Sequence, residues 1–153
     1  MIDESNNPGF SNDEKRTLAS VLDEIIPPSD DGRFPGAGEL ELAGYVEDAL
    51  RTTPDLRSMI TQGLSDLDKL ARSRNVPHFA ALAREDKVQL LNEQVFVLPL
   101  TFHAYAGYYQ NARVLAALGL EARPPHPKGY EMEPNDLTLL DAVRRRPKQY
   151  REC

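Results

Sequence analysis

What this sequence lacks narrows it before anything it contains. It has no tryptophan, and aromatic residues fill 7% of its 153 positions. Its one cysteine is Cys153, the last residue, so no disulfide forms within the chain and no cluster of thiolates can bind a metal. The histidines are His78, His103 and His126. None stands at the H-E-x-x-H or E-x-x-H spacing by which a helix presents two ligands to zinc or iron. There is no G-x-G-x-x-G, no lysine-bearing phosphate loop and no G-x-S-x-G elbow, so nucleotide binding and serine-nucleophile chemistry have no visible site. Asp30-Asp31-Gly32 lacks the further acids of a calcium loop and reads as a plain turn. The longest apolar run, Val95 to about Ala106, is interrupted by Pro99 and His103. It falls far short of the ~20 residues a membrane helix needs, so direct membrane insertion is not expected. The opening MIDESNNPGF has neither a basic start with an apolar core nor a twin-arginine pair, and a cytoplasmic protein is the expectation.

Proline and acid are plentiful. Twelve prolines fall mostly between apolar segments, where they end helices and stiffen connections. The net charge is −6, which is the wrong sign for a dedicated nucleic-acid binder. The charge is uneven: residues 1–50 carry 12 acidic and 3 basic side chains, and residues 101–153 carry 6 and 8. That polarity fits either an intrachain match or a docking surface.

The apolar residues recur at helical period throughout, and no two segments alternate as paired strands would. Residues 1–10 read as a loose start. Ser11 with Glu14 has the capping-box spacing, and Leu18, Val21, Leu22, Ile25 and Ile26 form a stripe that Pro27-Pro28 ends. After the turn-rich 28–38 loop, a helix is expected from about Glu39 to Arg51, with Leu42 or Ala43, Val46 and Leu50 inward. Another is expected over Pro54–Arg74 on Leu56, Ile60, Leu64, Leu67 and Ala71. Phe79 and Leu82 look like anchors, and Ala83–Glu93 is a shorter helix carrying Val88, Leu90 and Leu91. Val95–Tyr109 is apolar nearly all round, and a helix without a polar face is buried, in its own core or under a partner. Asn111 caps a helix ending at Gly119. Glu121–Pro134, with Pro124, Pro125, Pro127 and Pro134, should be extended. Asn135 or Asp136 caps a last helix bearing Leu137, Leu139, Leu140 and Val143, closed by Arg144–Arg146 and Pro147. The fold class expected is all-α: a small irregular domain of about six helices over 11–119, followed by a proline-rich arm with a short terminal helix over 120–153.

Catalysis finds no constellation here, whereas binding does. His103 is either a packed histidine or a group at the mouth of a partner's active site. Tyr105, Tyr108 and Tyr109 have amphipathic rings suited to an interface, although core packing explains them nearly as well. Tyr130, Leu137 and Leu140, with Met132, Leu139 and Val143, give the arm apolar anchors that need cover, on a partner or on the chain's own helices. The arginines at 144–146 suit an anionic patch, or simply offset the carbonyl end of their helix.

Four stretches carry a likeness: Thr17–Leu50, Gly63–Leu91, Leu100–Leu120 and Arg123–Glu131. The more specific parts are Ile25-Ile26-Pro27 with Pro35-Gly36-Ala37, then Leu67-Asp68 with Ala71 leading to Phe79 and Leu82. With them the chain resembles the gluconate 2-dehydrogenase subunit 3 family, small subunits of flavin-dependent sugar dehydrogenases. The resemblance implies an all-helical accessory subunit that binds no cofactor and supplies no catalytic residue. It also implies a large FAD-containing partner of the glucose–methanol–choline type that oxidises a sugar or polyol, often passing electrons to a cytochrome subunit. Exported members bear a twin-arginine signal, and this sequence departs from them there. Two rival readings stay open: a stand-alone helical adaptor, and a small enzyme or binding protein with a pocket among His103, Tyr105 and Tyr109.

Overall fold

The computed structural model describes residues 9–122 and 136–147. Among these residues every regular element is helical. The chain divides into two units, Met1–Ala122 and Arg123–Cys153.

In the first unit, helix α1 (Asn12–Ile25) starts where the capping box places it. The Glu14 amide donates to Ser11 Oγ at 3.3 Å, and the Ser11 amide donates to Glu14 Oε2 at 2.7 Å. Order begins earlier than expected. Phe10, grouped with the loose start by sequence, is buried, its amide donating to Glu47 Oε1 at 2.6 Å and its ring lying under the Arg57 guanidinium. The residue before the cap is thus held by Glu47 and Arg57, and this fixes the angle at which the chain enters α1. Thr17, Leu18, Val21 and Leu22 are buried, and α1 packs on α2, α3, α4 and α5, making it the centre of this unit.

Pro27-Pro28 leads into a tight loop. Asp31 accepts from Ser29 Oγ at 2.6 Å and from the Arg33 amide at 3.0 Å, and Gly32 takes φ +67°. These bonds, the Ser29 hydroxyl first, hold the Asp31 carboxyl below its ordinary pKa. Gly38 passes so close to the Ala19 carbonyl of α1 that a Cβ there would collide with backbone.

The helix expected over Glu39–Arg51 is broken. A 3-10 turn covers Gly38–Leu40, Glu41 adopts a left-handed φ of 52°, and α2 runs from Ala43 to Ala49. The reason is burial. Leu40 and Leu42 both sit in the core. On a continuous helix, residues two apart point about 200° away from each other, so the backbone turns at Glu41 to bring both inward.

Helix α3 (Pro54–Ser73) buries Ile60, Gly63, Leu64, Leu67 and Ala71 along one face. Asp68 is buried with them, its Oδ1 accepting from Thr17 Oγ1 at 3.0 Å and from the Phe79 amide at 2.9 Å. One carboxylate therefore ties α1, α3 and the Phe79–Ala81 turn together, and its charge is compensated by two donors. Phe79 and Leu82 anchor that turn in the core, and α4 (Arg84–Asn92) adds Leu90 and Leu91. Helix α5 (Val97–Tyr108) follows, then α6 (Ala112–Ala117), capped by Asn111 Oδ1 accepting from the Arg113 amide and ended at Gly119, φ +75°. Arg33 reaches across to donate both Nε and Nη2 to the Ala117 carbonyl, at 3.1 and 2.7 Å. A cation at a helix C-terminus offsets its dipole while fastening the 28–38 loop to α6.

In the second unit, Asp136 Oδ1 accepts from the Thr138 amide at 3.0 Å and caps a 3-10 turn, Leu137–Leu140, that runs into α7 (Asp141–Arg144). Arg144 pairs with Asp141 at 3.5 Å. The proline-rich stretch, Tyr130 and His126 lie outside the described residues.

Candidate docking face

The sequence leaves open which way the all-apolar helix turns. The structure shows that α5 is apolar on two faces and buries only one.

The inward face is Phe96, Leu100, Ala104, Gly107 and Tyr108. Phe96, just before the helix, lays its ring in the space that the absent side chain of Gly63 leaves on α3. About three turns later, Gly107 provides the same service for Tyr45 of α2, whose ring would stand 2.7 Å from a Cβ at 107. Tyr108 is 3% exposed, and its hydroxyl donates to the Pro35 carbonyl at 2.9 Å. Burial, with the neighbouring Tyr109 second, raises its pKa. Tyr108 therefore closes the core against the 28–38 loop, and its burial removes it from the surface that a partner would meet. Pro99 sits in the first turn of α5, where a helix amide has no intrahelical acceptor, so it neither kinks the helix nor costs a bond. These fixed contacts prevent α5 from rotating to hide anything else.

On the opposite side, Val95 is 81% exposed, Leu98 81%, Phe102 72%, Tyr105 45% and Tyr109 52%. Their spacing is three, four, three, four, which sets Leu98, Phe102 and Tyr105 in one row along the helix, with Val95 in the turn before it and Tyr109 at its C-cap. Tyr105 and Tyr109 stack with ring centroids 6.2 Å apart and planes 12° from parallel. Tyr109 also meets the edge of Tyr108 at 5.3 Å. His103, half-buried beside the row, lies edge-on to Phe102 at 5.6 Å. Gln110 closes the end, donating to the Ala106 carbonyl at 2.8 Å. Residues 94–112 contain no Asp, Glu, Lys or Arg, so no charge borders the row along the helix. Isolated exposed apolar side chains are ordinary, whereas a contiguous aligned row is a recognised mark of an interaction site.

Of the residues singled out from sequence, His103, Tyr105 and Tyr109 come together at this face, and Tyr108 lies behind it. Leu137 and Leu140 are exposed on their own unit, as are Leu139 and Val143. Val95, Leu98 and Phe102, the most exposed members, were not singled out; the row spacing was the available signal, but an all-apolar helix shows many such rows.

Two clefts among the described residues lie away from this row. One of about 350 Å³ lies between α1 and residues 38–44, lined by Lys15, Leu18 and Glu41 among others. Another holds Asp23, Glu24, Arg84 and Lys87, and there Glu24 is already met by Arg84 at 3.4 Å and Lys87 at 3.9 Å. Neither includes His103, Tyr105 or Tyr109. Among the described residues no three His, Cys, Asp or Glu side chains group as a metal site would require, and no helix is long and apolar enough to cross a membrane.

No curated protein and no solved structure matches this chain. The family model described as gluconate 2-dehydrogenase subunit 3 matches residues 12–94, which span α1 through α4 and stop one residue short of Val95. More than half the chain is covered, and the chain belongs to the gluconate 2-dehydrogenase subunit 3 family.

Proposed function

We propose that this chain is a non-catalytic accessory subunit that stabilises a larger FAD-containing sugar or polyol dehydrogenase subunit, docking on it through the exposed face of α5. Family membership supports the complex, and the row Val95, Leu98, Phe102, Tyr105, Tyr109 is the observation that carries the docking role. Five side chains exposed to this degree present on the order of 600 Å² of largely apolar surface, and water gains roughly 25 cal/mol for each Å² removed from it. The gross gain is of the same order as the cost of association, so the partner's fit decides the affinity. The flavin belongs to the large subunit in this reading, and a cytochrome subunit is a further possible member of the complex. The arm's Tyr130, Leu137 and Leu140 make a second, separate contact with the large subunit.

The experiment is affinity capture with the tagged chain from its native host. A yellow protein several times larger should be retained, and its flavin-dependent activity should survive heating longer with the subunit than without. Leu98→Asp combined with Phe102→Asp should reduce retention at least tenfold while the helical circular dichroism stays unchanged. Retention of a colourless partner instead would make the chain an adaptor, and retention of nothing would remove the accessory role.

A further inference from the structure

The docking reading leaves a physical question: what covers the α5 row before a large subunit arrives? We propose that a second copy of this chain does, α5 against α5 in antiparallel sense, so that the free subunit is a two-fold pair and the large subunit competes with it for the same face. The inference rests on the α5 face being a docking surface, and three features of that face select a second copy as its occupant.

The first is charge. A surface that meets itself must not repel itself, and residues 94–112 carry no charge at all. Along the sequence the first charged residues beyond the row are Glu93 on one side and Arg113 on the other, the latter exposed while holding Glu39 at 2.8 Å. Antiparallel pairing brings Glu93 of one copy toward the Arg113–Glu39 pair of its mate, whereas parallel pairing sets Glu93 beside Glu93. Residues 94–112 also lack the lysine and arginine through which amphipathic helices grip an anionic lipid surface.

The second is shape. Side-chain size rises along the row, from Val95 and Leu98 through Phe102 to Tyr105 and the stacked Tyr109. Turned end for end, the slender half of each helix meets the bulky half of the other, giving a layer of even thickness with Phe102 near the axis. A parallel pair would leave a void at one end and crowd tyrosines at the other.

The third is area. Two such faces together bury about 1,200 Å², the lower end of what a specific association uses. A pair of that size is exchangeable, as a form displaced by a better-fitting partner must be. The two-fold arrangement is also closed, so it consumes the apolar row without growing into a fibre.

Sedimentation equilibrium of the full chain, in reducing buffer so that Cys153 stays free, reads the result directly. At tens of micromolar the mass should approach twice 17.2 kDa and fall toward one copy on dilution. Phe102→Asp should give the single-copy mass throughout, with unchanged circular dichroism, while Met59→Asp, at an exposed site on α3, should still pair. Orientation is tested in a Cys153→Ser background: under mild oxidation, chains carrying Val95→Cys mixed with chains carrying Tyr109→Cys should link to each other, and neither should link to itself. A single-copy mass at every concentration overturns the proposal, as does a doubled mass that survives Phe102→Asp, or self-linking of the Val95→Cys chain. None of these outcomes touches the capture of a large flavoprotein, so the accessory role and the self-pair stand or fall separately.

Discussion

Single atoms decide the orientation of α5. Gly63 and Gly107 each leave a gap that an aromatic ring fills, Phe96 in the first and Tyr45 in the second. Gly63→Ala forces a methyl into the Phe96 ring, and overpacking of this kind typically costs about 1–3 kcal/mol. We expect a lower urea midpoint with an unchanged denaturant slope, and a larger loss than for Gly44→Ala, where nothing stands near the added carbon. Tyr108 gives a pH signature. Its folded pKa lies above its ordinary value because burial disfavours the phenolate, so its contribution is intact below the unfolded pKa of about 10 and is lost as pH rises past it. Tyr108→Phe also removes the hydrogen bond to the Pro35 carbonyl, worth about 1 kcal/mol. Urea midpoints of the two proteins should therefore differ at pH 8, and the difference should shrink as pH rises above about 10. A difference that stays constant across that range would mean Tyr108 does not titrate with unfolding.

At the scale of elements, the polar tie at Asp68 stands out because it joins three segments through one side chain. Asp68→Ala strands Thr17 Oγ1 and the Phe79 amide without acceptors in the core, and each stranded buried donor costs about 1–3 kcal/mol. The Phe79–Ala81 turn should loosen first, which amide hydrogen exchange at Phe79 would show as lost protection. Protection there equal to that of the unaltered protein would remove Asp68 as the tie. The split at Glu41 makes the same point about sequence patterns. The inward row expected from sequence is Leu42 or Ala43 with Val46 and Leu50; the core takes Leu42, Val46 and Leu50, and also Leu40, of which the row says nothing. The backbone turns at Glu41 because Leu40 and Leu42 must both reach the core, which the pattern of either residue alone does not show.

For the whole molecule, the core is continuous through the first unit, from Phe10 to Val114. No described residue of the second unit is buried, and Leu137, Leu139, Leu140 and Val143 are exposed. Removal of residues 123–153 should therefore leave the melting temperature of the remainder within a few degrees of the full chain, while weakening retention of the large subunit. If the shortened chain aggregates or melts far lower yet still captures its partner, the arm belongs to the subunit's own core. Charge variants on the α5 row should likewise spare stability while cutting capture at least tenfold.

Sequence alone determined the class of this fold, because apolar periodicity and proline positions are local properties. The Ser11–Glu14 cap, the α3 stripe, the Phe79 and Leu82 anchors and the Asn111 cap all follow from residues a few places apart. Membership of the family was legible in the same segments. What only the tertiary structure decided is which side of an all-apolar helix meets solvent. Val95 and Phe96 are neighbours of similar hydrophobicity, and nothing within ten residues of either distinguishes them. The distinction lies in Gly63, more than thirty positions away, whose missing side chain admits the Phe96 ring and so turns Val95, Leu98 and Phe102 outward.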